Sequence, residues 1–578
     1  MNIKRFAALH RAIEQARKEL EPYRTELADA IKSYTGPHYG GNRESGDRPI
    51  NLLQLAVESL LQQLSSKAPQ VLCVTHNSTL KSSATELELA MNKMLKKMDF
   101  EAEHRAWVLS AIFSVGIMEV GLSVSGRPVV DDEELPMTEV FCEAIMLDDF
   151  VFDTSGTKWG SREVSFWGHK YRMPLAQARE NEEFDQEARE NLRGEEKATS
   201  NGDSSTFSQG NQEESFSEMC EIWQIFVPEE NEVITFSLNG KKPLKTVKWR
   251  GPAHGPYHFM GFNQVLKNVM PLSPVANWMD IDDLENRLYS KLGNQAGRQK
   301  TIGIADLQAQ QDGKNIIKTN DGDVIAVGNP NAFKEARFGG VDQNTLGFAL
   351  NVRSMADFVM GNLSAQMGLG ASAGTLGQEQ MIRQAANVRI EAMQGVLMSA
   401  TEKILRDIAF YLHHHPTIEL NITREFEGTD IKLDMPWPRR EDGFGNEYDV
   451  RQGEYDDYEI NIVPYSMTAV SPGQRASLLR QIWREDVLAA VQLGVVPNVN
   501  AYFNTLAKYL DLPELRDIVT SAEQAMNPME QLGQSGGGLP TAGKPNGNYK
   551  RQNVSQGMTP QAMDQQREMM ALSGAGAE

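Results

Sequence analysis

Cysteine is nearly absent: Cys73, Cys142 and Cys220 are the three in 578 residues, an odd number with no Cys-x-x-Cys pair. That scarcity excludes a disulfide framework and a cysteine zinc site, and it fits a reducing compartment. Long apolar runs are missing too. A membrane helix needs about 18 unbroken apolar residues. The best candidate, 50–64, is interrupted by Asn51, Gln54, Glu58, Gln62 and Gln63. Residues 1–20 mix Lys4, Arg5, Arg11 and Arg17 with Glu14 and Glu19 and lack the compact apolar segment of a signal peptide, so no export signal is expected. Basic charge is in deficit. Lys and Arg number 57 against 78 Asp and Glu, a net charge of −21, which argues against a surface that grips nucleic acid throughout by neutralising phosphate. Contact with DNA has to be local or weak.

What remains is the balance of a globular chain, 40% apolar and 23% charged, with length enough for several packed regions. No internal repeat is visible. Phe6, Leu9, Ile13, Ala16 and Leu20 recur at helical spacing up to Pro22, which is expected to interrupt the helix before a second one over 23–34. A third helix is expected over 50–65, and helix formers dominate 84–114. Past Gly116 the pattern turns to short strands, 117–124, 137–145, 150–152 and 163–171. The stretch 178–217, rich in Glu, Asn, Ser and Gly, reads as a mobile acidic insertion outside the core. A hairpin of 220–227 against 232–238 follows, with Asn239-Gly240 as a positive-φ turn leading to 245–249.

The middle of the chain is the most organised. A long helix is expected over 279–298, with Ile281, Leu284, Leu288 and Leu292 as its apolar face and Asp280, Asp282 and Asp283 at its N-terminal turn. Next comes a turn-rich module, 301–341, with short β runs at 315–319 and 324–327. A second long helix begins near Asn344 with Val352, Ala356, Val359 and Leu363 on one face. It runs into the glycine-rich segment Gly368 to Gly377, after which a third long helix spans 378–413 and Pro416 stops it. Strands at 417–426 and 458–463 flank a Pro- and Gly-rich loop. Helices over 473–526 complete the folded part, and 527–578 reads as a disordered tail.

Chemical motifs are weak. Asp280-Ile-Asp282-Asp283 reads as helix-start surface charge rather than a metal cluster, and His413-His414-His415 as solvated residues at a helix end. The glycines at 368, 370, 374 and 377 precede no Gly-Lys-Ser/Thr, so a phosphate loop is not indicated. Asn320-Asp-Gly-Asp323 lacks the closing glutamate of a calcium loop. Trp107, Trp167, Trp223 and Trp278 read as core anchors. No cofactor or metal is implied.

Five strings in order carry a family resemblance: Arg48-Pro-Ile-Asn-Leu-Leu-Gln-Leu-Ala-Val-Glu-Ser-Leu, Leu147-Asp-Asp-Phe-Val-Phe-Asp, Glu221-Ile-Trp, Pro271-Leu-Ser-Pro-Val and Asp282-Asp-Leu-Glu-Asn-Arg-Leu. With the order of elements around them, the chain resembles the portal (head-to-tail connector) proteins of tailed bacteriophages, most like those of short-tailed phages, over roughly 23–520. The resemblance implies a mixed α/β, helix-rich subunit of a ring, expected to be a dodecamer. Its parts would be a wing-like region 1–270 with the insertion 178–217, a first stem helix 271–300, a clip 301–341 and a second stem helix 342–367. A tunnel loop 368–377, a wing helix with strands 378–472, crown-like helices 473–526 and the tail 527–578 would follow. The insertion is not a general portal feature, and the absence of a long helical barrel after Met526 implies a short crown.

That resemblance further implies no enzymatic activity in this chain, a place at one capsid vertex of the virion after assembly in the host cytoplasm, and no membrane partner. Double-stranded DNA would pass through the channel near Gly368, Gly370, Gly374 and Gly377, with Arg383 as a transient phosphate contact. The terminase large subunit and then a tail adaptor would dock on the clip, made locally basic by Lys314, Lys318, Lys334 and Arg337. Major capsid and scaffolding proteins would be further partners. Two other readings stay open: a metal-dependent nucleic-acid enzyme using the aspartates and histidines above, and a non-ring head or scaffold protein that uses its tail for partners.

Overall fold

The computed structural model describes residues 3–467 apart from 37–49, 66, 129–133, 157–163, 195–217, 306, 321–323, 325, 328, 330, 332, 362–375, 416, 426–431, 442–446 and 464–466, together with 480, 481, 483 and 484. The chain divides into two units, Met1–Arg475 and Ala476–Glu578. All elements named below belong to the first. The helices expected over 473–526 and the tail 527–578 lie outside the described residues, apart from short helical stretches at 480–481 and 483–484.

Helices α1 (Ile3–Thr35), α2 (Leu52–Leu64), α3 (Lys81–Lys97) and α4 (Phe100–Phe113) open the fold. Pro22 lies inside α1 and does not break it. The buried stripe Phe6, Ile13, Ala16, Leu20, Leu27 and Ala30 continues past it, whereas Pro22 is exposed, so the backbone carbonyl it leaves unpaired one turn earlier faces water. Tertiary burial therefore overrides the local breaker. Asn51 caps α2 by accepting from the Gln54 amide. Asp99, with φ 50°, separates α3 from α4 within the segment that reads as continuously helical. Trp107, Trp223, Trp167 and Trp278 are all at most 4% exposed, as core anchors. Burying each contributes about 4–6 kcal/mol at ~25 cal/mol per Å2 over roughly 150–250 Å2.

Two antiparallel sheets form the strand layer. One orders β3 (Glu134–Ile145), β2 (Gly116–Pro128) and β9 (Tyr257–Met260). The other runs β4 (Phe150–Phe152), β5 (Trp167–Pro174), β6 (Met219–Val227), β7 (Glu232–Phe236), β8 (Lys245–Lys248). The hairpin of β6 and β7 turns on Asn231 at φ 52°. Asn239-Gly240 is not a positive-φ turn: it closes by a Gly240 amide to Ser237 carbonyl bond of 2.8 Å without left-handed backbone. The insertion also differs from expectation at its start. Helix α5 (Leu175–Glu180) buries Leu175 and Ala178, and Phe184 and Leu192 on either side of α6 (Gln186–Glu190) join them with Cys220, Ile222 and Leu244 in a small second core. Enough apolar side chains punctuate 175–192 to pack it on the sheet; 195–217 lies outside the described residues.

Helix α7 (Pro274–Gly297) starts earlier than its apolar pattern suggests, capped by Ser273 with Pro274 in the first turn. The following module pairs β10 (Lys300–Ala305) with β11 (Phe333–Phe338) and carries helix α8 (Gln310–Lys318) between them. The β run expected at 315–319 is helical through Lys318, because it continues from the helix formers at 310–311. Of the run expected at 324–327, residues 324, 326 and 327 are described and none is in a strand. Helix α9 (Gln343–Val359) returns, capped by Asp342, which accepts from the Thr345 amide at 2.9 Å. Helix α10 (Leu376–His414) is the longest among the described residues, and its C-terminal part packs through Leu397, Ile404, Leu405, Ile408 and Leu412. The Pro- and Gly-rich stretch after it holds hairpins of β12 (Leu420–Glu425) with β13 (Lys432–Trp437) and β14 (Arg439–Glu441) with β15 (Glu447–Asp449). Finally β16 (Tyr458–Ile462) pairs with β1 (Val71–Thr75), far back in the chain. Among the described residues no helix is long and apolar enough to cross a membrane.

Candidate functional site

Helices α7 and α9 form an antiparallel pair, with Gln295 Oε1 accepting from the Asp342 amide at 3.2 Å at one end and Arg353 Nη1 3.1 Å from Glu285 Oε1 nearer the other. At 1.5 Å per residue they are about 36 and 25 Å long. On α7 the face expected from Ile281, Leu284, Leu288 and Leu292 is only partly the buried one: Leu292 is buried and Ile281 and Leu288 are half-buried. Leu284 is 41% exposed, and the buried positions are Val275, Trp278, Asp282, Glu285, Asn286 and Leu292. Asp282 is thus a buried residue of the third turn, not a surface charge at the helix start. Asn286 Nδ2 donates to the Asp282 carbonyl at 2.9 Å and to its carboxylate at 3.2 Å, while Asn286 Oδ1 accepts from the Ile50 amide. On α9, Val352 and Ala356 of the expected face are buried together with Ala349, Val359 is half-buried and Leu363 lies outside the described residues; the two alanines let the helices approach closely.

The rest of this arm is apolar and open. Of the 25 exposed large apolar residues among the described ones, 14 lie between Leu272 and Phe358, far more than that share of the chain predicts. On α9, Phe348, Met355 and Phe358 recur on one face at 52%, 60% and 73% exposure. On the β10–β11 hairpin Ile302, Ile304 and Phe338 share a face by register, and Lys334, paired with Ile304, shares it as well. Arg337, paired with Thr301, is on the opposite face. Lys314 and Lys318 sit one turn apart on α8. All four basic residues are exposed, yet they occupy two elements and both faces of the hairpin rather than one patch. Gly368, Gly370 and Gly374 lie outside the described residues; Gly377 falls in the first turn of α10, and Arg383 is two turns further along that helix.

The residues that a metal-dependent reading would need do not converge. Asp280 is exposed on α7 while Asp282 turns inward. His413 packs against Tyr455 and Tyr458, His414 Nδ1 lies 3.0 Å from the Phe410 carbonyl, and His415 Nδ1 lies 3.0 Å from the Thr417 hydroxyl. Burial and the neighbouring His414 and Arg451 hold His413 below its ordinary range.

Two polar clusters went unread in the sequence. In the first, Glu119 on β2 and Glu143 opposite it on β3 line a cleft of about 390 Å3 with His169, Lys170 and Gln224. Burial, reinforced by Glu143, pushes the Glu119 carboxyl up to about 8, and burial pulls His169 down to about 4. The 3.6 Å approach of the two is therefore a contact between neutral groups, with Tyr257 hydroxyl 2.8 Å from His169 Nδ1. In the second, His254 and His258 each bring Nε2 to 2.8 Å from Asp407 Oδ2 on α10. Their donation holds that carboxylate below its ordinary range against the opposing effect of burial. The four-residue spacing of the two histidines was the only trace of this cluster in the sequence. No family model matches the chain, and no curated protein is significantly similar to it.

Proposed function

We propose that the chain is one subunit of a phage portal ring, through which double-stranded DNA enters and leaves the capsid. The observation that supports this reading best is the arm of α7, the β10–α8–β11 module and α9: a long antiparallel pair carrying a small projecting module, with aromatic and aliphatic side chains left uncovered in the single chain. Exposed apolar faces of this kind mismatch water and call for a partner. Contact between one face of a subunit and a different face of the next generates a closed ring when the rotation closes. In the ring, α7 and α9 would be the stem and 301–341 the clip, where Lys314, Lys318, Lys334 and Arg337 meet terminase and then a tail adaptor. Residues 368–377 would face the channel, and Arg383 would touch phosphate transiently.

The charge of −21 per subunit suits a conduit, because duplex that is held weakly slides, whereas each neutralised phosphate makes it stick. ATP hydrolysis then belongs to the terminase. Sedimentation velocity with negative-stain imaging of the purified chain tests the proposal. Closed rings with a central hole are expected, and a folded monomer over a wide concentration range overturns it.

A further inference from the structure

We propose that His254, His258 and Asp407 form a binding site for one zinc ion, which ties the strand layer to helix α10. The two histidines lie four residues apart in one segment, and the aspartate comes from a distant helix. His254 sits in a turn closed by the Gly255 amide on the Pro252 carbonyl at 3.0 Å, with Gly255 at φ 91°. His258 is on β9, which pairs with β2, and Asp407 is on α10, 149 residues further along the chain. Both imidazoles aim the same atom, Nε2, at the same carboxylate oxygen, and the donor atoms lie within 4.8 Å of one another. Two ring nitrogens and one carboxylate oxygen converging on a point are the donor set of a three-ligand zinc centre.

Size and access fit the ion. Zinc bonds of about 2.0–2.1 Å to nitrogen and oxygen in a tetrahedron put neighbouring donors roughly 3.3 Å apart. The present 2.8 Å separations must therefore open by about half an ångström. His254 can supply that movement, since its side chain is 48% exposed on a turn, while His258 and Asp407 are fixed at 5% and 7%. The exposed side leaves the fourth position to water. Two neutral imidazoles and one carboxylate leave the bound ion a net charge of about +1, which tolerates a water ligand at the protein edge. In the metal-free state each Nε2 carries its hydrogen and donates to Asp407. Binding uses the Nε2 lone pairs, so the ring hydrogens shift to Nδ1.

The site is independent of the portal reading, and its test is read on the isolated chain. The untagged full chain, stripped with EDTA and dialysed, is titrated with zinc chloride by calorimetry; a parallel titration with cobalt reads its visible absorption. One ion per chain is expected, with a four-coordinate cobalt spectrum and a melting temperature raised by zinc. His254→Gln, at the exposed ligand, keeps the fold by circular dichroism and weakens zinc on the order of 100-fold or more, at or beyond the loss seen when an outer partner of a ligand is removed. Asp407→Asn abolishes the cobalt spectrum. His76→Gln, at a histidine 94% exposed elsewhere, changes nothing. Absence of saturable uptake by the wild-type chain, or unchanged affinity in His254→Gln, overturns the site and leaves a purely hydrogen-bonded cluster.

Discussion

Replacing Glu119 by glutamine tests the electrostatics of the strand layer directly. The side chain is 4% exposed, accepts from Gln224 Nε2 at 3.3 Å, and has a carboxyl pushed from 4.5 up to about 8, chiefly by burial. Between those values the unfolded chain has released its proton and the folded chain has kept it. Unfolding is then coupled to proton release, and stability falls as pH rises, by about 1.4 kcal/mol per unit. At pH 7, roughly 2.5 units above the unfolded value, the wild-type carboxyl costs about 3 kcal/mol. Glutamine has the shape of the protonated acid and does not titrate. The stability difference between Glu119→Gln and wild type is therefore expected to be small near pH 4.5, to grow through pH 7 and to level off above pH 8. Urea denaturation at pH 5, 6.5 and 8 reads this, followed by the fluorescence of Trp167 and Trp223, both buried in the neighbouring sheet. A difference that is flat in pH, or that shrinks as pH rises, would refute the reasoning. The second outcome would mean that Glu119 is ionised against a protonated His169.

Arg353→Met leaves the buried Glu285 carboxylate without its 3.1 Å partner and is expected to lower stability by about 3 kcal/mol, the lower end for a broken buried pair because Arg353 is itself 44% exposed. Restoring neutrality in the double variant Arg353→Met/Glu285→Leu should recover most of that loss in the same denaturation assay; no recovery would show that the charge is not the cause. The pair Phe348→Ser and Phe358→Ser removes side chains 52% and 73% exposed, so the fold should change by no more than about 0.5 kcal/mol while sedimentation shifts to smaller species. Rings of undiminished size would remove α9 from the subunit contact. Free duplex should bind weakly, with affinity dropping steeply between low and moderate salt in filter binding; tight binding that persists at high salt would point to a dedicated nucleic-acid surface.

Long periodic segments were the easiest to read. The helix predicted over 378–413 is Leu376–His414, the hairpin over 220–238 is present, and the β runs after Gly116 are strands, the one expected from 163 starting at Trp167. Failures have identifiable causes. Pro22 is a breaker by local rule, but its exposed position leaves the buried stripe of α1 intact. On α7 the apolar periodicity favours Leu284 over Asp282 and Glu285, because it counts hydrophobic residues and is blind to polar residues buried in pairs. The short apolar run at 315–319 suits a strand or a helix equally, and context decided for the helix. Glu119 with His169, and Asp407 with His254 and His258, are unions of distant segments, which no local pattern encodes. The position of the apolar arm was legible; the uncovered state of its faces was not.

The pairing of β1 with β16 has a consequence for synthesis. Val71 lies opposite Ile462, so the strand made near the start of the chain waits for 391 residues before its partner exists. At about 5–20 residues per second the delay is roughly 20–80 s. During that time 71–75 is an edge with one ladder of amides and carbonyls open, beside Leu72 and Val74, which stay 40% and 37% exposed even after pairing. The opposite edge is already satisfied by α3, whose Asn92 side chain binds both the amide and the carbonyl of Val71 and whose Glu88 accepts from the Cys73 amide. Those two side chains bind off that second edge like a selvedge, so a single ladder, from Gln70 through Leu72 and Val74, stays open to neighbouring nascent chains until β16 arrives.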